Sequence, residues 1–468
     1  MNKRRHLIFT GTNSNAGKTF ITGFVGKILK ETFNIQTCPF KGQNMSNYAT
    51  VCEYNKEISI AQASQAELIG ISPQADMNPV LLKPLGDGHS QLVIRGVPNK
   101  ITDAKTYYKE INELKPQVDA AFDELQQKYE MIVIEGAGSA FELNLRNRDL
   151  ANQHMLEKEN VDSVLIANIE NGGVFASILG SYQLMSESEK SKFKGVIINN
   201  FRGDISLFDE GKKIIESWGI PVLGIIPHLD YSLDCEDSLA IMHSFEEKNT
   251  NIINVGVIKY PKASNINDIE PLMHDPNVQV TFITQNVNLD IFDKIILPGS
   301  RAVIDDMRWL IKTGLAKNLK QTKADIYGIC GGYQMLHEDL IDPLGTENSR
   351  GIADSESGLG LIRGTVGFKE NKIIKREEYT LYENIKVQGF EMHTGISDTY
   401  PLFFDSIRIK GSLVHEIFHD DNFRYWWLSL NSKLNLEEWN YKFWKNNLQN
   451  SVASKLTEII DWDRMLGQ

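Results

Sequence analysis

The chain has 468 residues, more than one hydrophobic core usually serves, so its length predicts two or three domains, and two is our working number. Hydrophobic residues at 41% and charged residues at 24% are ordinary for soluble globular proteins and argue against a disordered chain. The 49 Lys and Arg against 61 Asp and Glu give a net charge of −12, which argues against nucleic-acid or anionic-membrane partners because both would be repelled.

The start of the chain and its cysteines indicate a cytoplasmic protein with no membrane partner. The basic start is followed by only four mostly apolar residues, too few for a signal-peptide core, and no run of about 18 apolar residues predicts a membrane span. Cys38, Cys52, Cys235 and Cys330 show neither CxxC pairing nor disulfide density, as is typical of a reducing compartment. The first three are expected to be small core residues.

Apolar runs of strand length alternate with helical segments along the first half of the chain. The runs are 6–10, 131–136, 163–168, 195–200 and 221–226. Such alternation predicts an α/β domain over residues 1–240, with a doubly wound parallel sheet covered on both faces.

The pattern dissolves into charged and polar residues between about 237 and 252, where we place a linker. A second alternation follows, with apolar runs at 253–258, 280–284, 294–300 and 325–332. It predicts another open α/β sheet over residues 251–440. Residues 441–468 are predicted to form a helical tail.

Residues 11–19, GTNSNAGKT, lie directly after the first predicted strand and directly before a helical stretch. In that order, backbone N–H groups and the helix N-terminus surround phosphate oxygens, Lys18 reaches the outer phosphates and Thr19 holds Mg²⁺. Five residues rather than four separate Gly11 from Gly17, so this is a longer variant of the usual loop; the alternative is a purely structural turn. The loop residues predicted to bind ATP are Gly11, Asn15, Ala16, Gly17, Lys18 and Thr19.

Polar residues end two other strands of the predicted sheet. Glu135 ends the run at 131–136, at the sheet edge where ligands gather, and is predicted to be a Mg²⁺ ligand; the alternative is a solvated acid in a turn. Asn199 and Asn200 end the run at 195–200, and either recognise the edge of the ATP base or are turn residues.

Several ordered motifs resemble the cobyric acid synthase family, the glutamine-hydrolysing enzymes of cobalamin biosynthesis, across about residues 6–425. The motifs are GTNSNAGKT (11–19), PFKGQNMSN (39–47), AQASQAE (61–67), DMNPVLLKP (76–84), VIEGAGS (133–139), GGVFAS (172–177), INNFRGD (198–204), LPGSR (297–301), GICGGYQML (328–336) and GFEMHTG (389–395). The second and fourth are the most specific to this family.

The resemblance implies a dethiobiotin-synthetase-like P-loop domain followed by a class I glutamine amidotransferase domain of flavodoxin-like fold. It implies amidation of the b, d, e and g carboxylates of the corrinoid adenosylcobyrinic acid a,c-diamide, with glutamine as nitrogen donor and ATP and Mg²⁺ as cofactors. The two most specific motifs then imply substrate-binding roles for Lys41, Gln43, Asn44, Asn78 and Lys83.

Two segments depart from the family pattern. Where the family reads ADIDRGG, this chain has Asn168, Glu170 and Asn171, which changes an acid and an arginine. Where the family reads YLHGIFD, this chain reads LVHEIFH at 413–419, so Glu416 replaces a glycine.

Cys330 lies in GICGG, after an apolar strand and before a helical stretch. A thiol on such a tight turn is exposed, its thiolate is favoured by the helix N-terminus, and neighbouring N–H groups form an oxyanion hole. We predict that Cys330 is the nucleophile of glutamine hydrolysis and that Gly331 and Gly299 supply oxyanion N–H groups.

A histidine distant in sequence is expected to deliver the proton to leaving ammonia. His415 matches the family's YLHGIFD histidine and is preferred, whereas His393 in GFEMHTG is the second candidate. Class I amidotransferases usually carry Glu two residues after this histidine, but Ile417 stands there. A dyad without a third member is therefore expected.

Two alternatives stay open. One is a ligase of the same architecture that acts on another carboxylate, such as cobyrinic acid itself. The other is a P-loop regulatory or partitioning ATPase fused to a degenerate amidotransferase-like domain, against which the retained Cys330, His415 and glycine turn argue.

Overall fold

A computed structural model of the chain describes residues 5–86, 88–229, 231, 251–348 and 351–467. Cys235 and almost all of the predicted linker lie outside these ranges. Within them, no helix combines the length and the apolar character needed to cross a membrane.

The N-terminal half, up to residue 231, alternates strands and helices. Its strands are β1 (His6–Gly11), β2 (Thr37–Phe40), β3 (Gln43–Met45), β4 (Ala49–Cys52), β5 (Lys56–Ser59), β6 (Val80–Gly86), β7 (His89–Ile94), β8 (Val97–Asp103), β9 (Met131–Glu135), β10 (Val161–Asn168), β11 (Phe193–Phe201) and β12 (Val222–Pro227). Its helices are α1 (Lys18–Glu31), α2 (Ile60–Ile69), α3 (Ala104–Lys109), α4 (Ile111–Lys128), α5 (Gln153–Leu156), α6 (Val174–Leu184), α7 (Glu187–Ser191) and α8 (Asp209–Ser217).

A six-stranded parallel sheet in the order β12-β11-β10-β1-β9-β2 forms the centre of this half. Strands β1, β9 and β10 are buried along their whole length, because helices cover both faces. The predicted doubly wound α/β fold is confirmed. The carboxyl ends of β1, β9, β10 and β11 meet at one edge and bring Gly11, Glu135, Asn168 and Asn199 together.

Two smaller sheets, β3-β6-β7-β8 and β4-β5, extend this half beyond its predicted strands. Strand β6 carries Lys83, and strands β7 and β8 on one side of it are partly exposed. These short strands have no long apolar run, so the sequence pattern did not predict them.

The C-terminal half begins at residue 251 and is also α/β. Its strands are β13 (Ile253–Ile258), β14 (Ala263–Ser264), β15 (Val278–Ile283), β16 (Lys294–Leu297), β17 (Gly299–Ser300), β18 (Asp325–Ile329), β19 (Asp339–Asp342), β20 (Asp354–Ser357), β21 (Thr365–Leu381), β22 (Ile385–Ser397), β23 (Phe403–Asp405), β24 (Ile409–Ser412) and β25 (Val414–His415). Its helices are α9 (Glu270–His274), α10 (Val303–Thr313), α11 (Leu315–Gln321), α12 (Gly331–Met335), α13 (Asp421–Ser429), α14 (Tyr441–Ile459) and α15 (Trp462–Leu466).

The main sheet here has the order β15-β13-β16-β18-β24-β23, parallel except for the β23–β24 pair. A second sheet contains the long antiparallel hairpin of β21 and β22, which packs against β4 of the N-terminal half. Helix α14 and the residues after it return to the N-terminal half, where Val452, Leu456 and Met465 join the core under α1. The two halves are therefore joined at both the hairpin and the tail.

Candidate active sites

The loop between β1 and α1 is shaped for close approach. Gly17 has φ 93°, and a Cβ there would collide with the Asn199 side chain, so only glycine fits. The Lys18 ammonium donates to the carbonyls of Asn13 and Gly138, at 2.8 and 2.9 Å. Burial lowers the pKa of Lys18 to about 8, although Glu135 raises it and Lys41 lowers it further.

Glu135 is 1% exposed, which excludes the alternative of a solvated acid in a turn. Its Oε1 accepts hydrogen bonds from Thr19 Oγ1 at 2.9 Å and Lys41 Nζ at 2.7 Å. Its Oε2 accepts from Gln62 Nε2 at 3.0 Å and Gln65 Nε2 at 2.8 Å. This carboxylate therefore joins the phosphate loop to α2 through a fully satisfied buried network. Neither glutamine was predicted as a site residue, although both lie in the AQASQAE motif.

Two asparagines hold the phosphate loop from neighbouring strands. Asn199 Nδ2 donates to the carbonyl of Ala16, and Asn168 Nδ2 to the carbonyl of Asn15, both at 3.0 Å. Asn199 lies inside β11, so it is not a turn residue after the strand. Asn168, a departure from the family pattern, thus has a place beside the loop.

The other two departures at this edge lie further out. Glu170 forms a surface ion pair with Arg202 at 2.8 Å, and Asn171 is exposed. Neither side chain belongs to the buried network around Glu135.

The residues predicted to bind substrate divide into two groups. Lys41 and Asn44 belong to the Glu135 network, because Asn44 Nδ2 donates to Gln62 Oε1 at 3.0 Å. Asn78 Nδ2 supports the chain by donating to the Lys41 carbonyl at 3.2 Å, and Gln43 is half-buried on β3.

Lys83 lies apart from that network, at the boundary between the halves. Its Nζ pairs with Glu57 Oε2 at 2.8 Å, while Lys372 of the C-terminal half pairs with Glu57 Oε1 at 2.9 Å. Burial disfavours the Glu57 carboxylate, but the two ammonium groups outweigh burial and lower the pKa of Glu57 to about 2. Burial lowers the pKa of Lys83 to about 8.

Cys330 lies on a strained turn between β18 and α12. Its φ is 47° and ψ −107°, a conformation that L-residues rarely adopt and that often accompanies functional sites. A Cβ on Gly331 would lie 2.6 Å from Ser300 N, and one on Gly332 would collide with the Leu297 carbonyl, so both following residues must be glycine.

His415 lies beside Cys330, at the end of β25. Its Nδ1 is 2.7 Å from Asp268 Oδ2, and its ring stacks on Phe390 with centroids 4.8 Å apart. Burial lowers the pKa of His415, but the charges of Asp268 and Cys330 and hydrogen bonds to both outweigh burial and raise it to about 10. The contacts with Asp268 and Cys330 therefore favour the protonated form of the imidazole.

The expected dyad without a third member is a wrong prediction, because Asp268 stands behind His415. Asp268 is fully buried in a short 3₁₀ turn, Ile266–Ile269, and its Oδ1 also accepts from the Glu416 backbone N–H at 2.8 Å. The residue lies 147 positions before His415, in a turn with no motif. Nothing local in the sequence marked it.

His393, the second candidate, faces other partners. Its Nδ1 is 3.0 Å from the Gly395 carbonyl and its Nε2 is 3.0 Å from Glu391 Oε2. Both ring nitrogens are thus engaged within β22.

A cavity of about 510 Å³ lies between the two halves. Cys330, His415 and His393 line it from the C-terminal half, and Lys83 and His89 from the N-terminal half. Gly299 also borders His415, since a Cβ there would lie 3.3 Å from His415 Cε1. The thiol therefore opens toward residues of the other half.

Comparisons with known proteins agree with this division of the chain. Residues 7–238 match the CobQ/CobB/MinD/ParA nucleotide binding domain, and residues 254–421 match the CobB/CobQ-like glutamine amidotransferase domain. A nucleotide-binding domain joined to a glutamine amidotransferase domain defines a glutamine-dependent amide ligase.

The chain is 43% identical over 421 residues to the cobyric acid synthase of Acinetobacter baylyi, covering 90% of each chain. It is 37% identical to that of Prochlorococcus marinus subsp. pastoris, covering 99% of this chain and 98% of the relative. It is 36% identical to that of Anoxybacillus flavithermus, covering 91% and 88%. The chain belongs to the cobyric acid synthase family.

Proposed function

We propose that this enzyme amidates the b, d, e and g carboxylates of adenosylcobyrinic acid a,c-diamide, with ATP as activator and glutamine as nitrogen donor. The observation that carries the proposal is the pairing, in one chain, of a phosphate loop at Lys18 with an ordered Cys330, His415 and Asp268 that open toward the other half. The similarity to cobyric acid synthases over at least 90% of the chain supports the choice of substrate.

The N-terminal half, here called the synthetase half, activates the carboxylate. Transfer of the γ-phosphoryl group depends mainly on positioning and charge neutralisation, which Lys18 and the N–H groups of the loop provide. The Thr19 hydroxyl and Glu135 carboxylate are hard oxygen donors of the kind that Mg²⁺ prefers, and a bound Mg²⁺ neutralises phosphate charge. Thr19 and Glu135, whose side-chain oxygens lie 2.9 Å apart, would hold the ion together with the ATP phosphates.

The C-terminal half, here called the glutaminase half, releases ammonia. The Cys330 thiolate attacks the amide carbon of glutamine, and N–H groups of Gly331 and Gly299 receive the oxyanion. As the C–N bond breaks, the His415 imidazolium donates its proton to the leaving ammonia. Neutral His415 then draws a proton from water, which hydrolyses the thioester to glutamate. Asp268 keeps the imidazole oriented through both steps.

We also propose that the synthetase domain spans residues 1–240, the glutaminase domain residues 251–440 and the tail residues 441–468. We propose a cytoplasmic location for the protein.

Mass spectrometry of the corrinoid products tests the substrate. With ATP, Mg²⁺ and glutamine, the a,c-diamide should show a mass decrease for each OH replaced by NH₂, up to the four remaining carboxylates. Conversion of cobyrinic acid at its a and c carboxylates instead would favour the alternative ligase. ATP hydrolysis without any amidation would favour the regulatory ATPase.

Asp268→Asn should lower the glutaminase rate by roughly 10²- to 10⁴-fold, because the amide stabilises imidazolium poorly and favours the wrong tautomer. A pH profile provides the sharper test. With the pKa of His415 raised to about 10, the wild-type rate should fall as pH rises through that value and the proton donor is lost. Without the Asp268 charge, this alkaline fall should move to lower pH. An unchanged alkaline limb would contradict the role of Asp268.

His415→Ala and His393→Ala should differ in glutaminase rate. The first is expected to lose roughly 10²- to 10⁴-fold, as the loss of a general acid–base group does. The second should lose much less, because His393 pairs with Glu391 and not with the thiol. Initial rates of glutamate formation from purified variants measure both, and the reverse order would transfer the role to His393.

A further inference from the structure

Glu416, the residue next to His415, has an unusual backbone. Its φ is 64°, in the left-handed region where glycine is favoured and where the resembling family carries glycine. A glutamate that keeps a backbone conformation disfavoured for it indicates a role for its side chain.

The Glu416 carboxylate links the two halves of the enzyme. Arg376 of the hairpin donates to both oxygens, from Nη1 to Oε2 at 2.8 Å and from Nη2 to Oε1 at 3.0 Å. Thr50 Oγ1, on β4 of the synthetase half, donates to Oε1 at 3.1 Å. Arg376 Nη2 also donates to Thr50 Oγ1 at 2.7 Å, which closes a three-membered cluster. The Thr50 side chain is buried, whereas the side chains of Arg376 and Glu416 are 32% and 20% exposed.

The backbone of Glu416 contacts Asp268, the residue that holds His415. Its N–H donates to Asp268 Oδ1 at 2.8 Å, while the other oxygen of that carboxylate holds His415 at 2.7 Å. A second connection runs through Phe390, whose ring lies 5.1 Å from the Arg376 guanidinium and stacks on His415. Arg376 thus contacts Phe390 and Glu416 contacts Asp268, and both of these residues contact His415.

On the synthetase side, the connection continues toward the phosphate loop. Strand β4 pairs with β5, with Ala49 opposite Ser59. Ser59 caps α2, and Gln62 and Gln65 of that helix hold Glu135. An unbroken series of direct contacts therefore joins the Glu135 network to His415.

We propose that Glu416 is a positioning residue through which Thr50 of the synthetase half holds Asp268 and His415 in the geometry for glutamine hydrolysis. This inference rests on the proposed glutaminase role of Cys330. It makes glutamine hydrolysis dependent on a residue that belongs to the other half of the enzyme.

Thr50→Val in the full-length enzyme tests the link, because it removes the hydroxyl with little change of shape. Glutaminase kcat should fall about tenfold, since small displacements of a catalytic group are costly, while KM for glutamine should change less than about twofold. Amidation with free ammonia should be retained. Glu416→Gly should have the same effects on activity while relieving the left-handed backbone. Its glutaminase rate should therefore fall without a fall in melting temperature. Glu416→Gln, which keeps the acceptors but not the charge, should lie between Glu416→Gly and wild type.

The double variant Thr50→Val, Glu416→Gly provides the decisive comparison. If the two residues act through one contact, the double variant should lose no more activity than Glu416→Gly alone. Glu383→Gly is the matched control, since Glu383 is exposed, has φ 47° and lies in the turn of the same hairpin. It should leave the glutaminase rate unchanged.

An unchanged glutaminase rate in Thr50→Val, additive losses in the double variant, or a parallel fall of ammonia-dependent amidation would each overturn the proposal. If Glu416→Gly fails to fold, Thr50→Val and Glu416→Gln decide alone. Cys330→Ser distinguishes failure of the link from failure of the proposed glutaminase role. Retained glutamine hydrolysis in that variant would refute the role of Cys330 rather than the link.

Discussion

Cys330→Ser should abolish glutamine-dependent amidation, by roughly 10³-fold or more, while amidation with free ammonia continues. Serine carries a hydroxyl in place of the thiol and therefore supplies no thiolate to attack the amide. The synthetase half does not need Cys330 once ammonia is supplied. The assay is corrinoid amide formation with glutamine or with ammonium as the sole nitrogen source.

Cys38→Ala serves as the control for this variant. Cys38 is completely buried, and burial raises the pKa of its thiol, so it is not a reactive thiolate. Its removal should leave both nitrogen sources usable. Equal loss of both activities in Cys330→Ser would mean that the residue supports the fold and not the hydrolysis.

Lys18→Ala should remove amidation with either nitrogen source, by roughly 10²- to 10³-fold, because the charge that stabilises the transferring phosphoryl group is gone. Glutamine hydrolysis should persist, since the Lys18 ammonium donates to the carbonyls of Asn13 and Gly138 and is not part of the Thr50–Glu416 contact. The two variants therefore differ in ammonia-dependent amidation, which Cys330→Ser should keep and Lys18→Ala should lose.

Lys27→Ala is the matched control for Lys18. It lies on the same helix, is equally buried, and pairs with Glu31 at 2.6 Å away from the phosphate loop. Amidation should survive in that variant. Wild-type ammonia-dependent amidation in Lys18→Ala would contradict the activating role of the loop.

The parallel sheets could be predicted from the sequence because their strands are buried on both faces and read as unbroken apolar runs. The phosphate loop and the Cys330 turn could be predicted because their chemistry lies in consecutive residues. The roles of these residues stay predictions that the variants above test.

Other parts of the sites could not be predicted because contacts distant along the chain create them. Asp268 meets His415 only after β13, β18 and β24 have aligned, and no local pattern marks it. Lys372 and Arg376 lie on a long, highly charged hairpin that reads as a solvated surface. Their partners, Glu57 and Thr50, belong to the other half of the chain.

At position 416 this chain carries glutamate where the family carries glycine. The positive φ of 64° explains why glycine suits this position. The ion pair with Arg376 explains how glutamate is held there instead.

Transfer of the glutamine amide nitrogen to the corrinoid is the central claim, and isotope labelling tests it most directly. The enzyme is given glutamine labelled with ¹⁵N in its side-chain amide, together with ATP, Mg²⁺ and adenosylcobyrinic acid a,c-diamide, and the product is analysed by mass spectrometry. We predict one ¹⁵N in each new amide of the wild-type product and no labelled amide with Cys330→Ser. New amides without label in the wild-type product, or no new amides at all, would contradict the account.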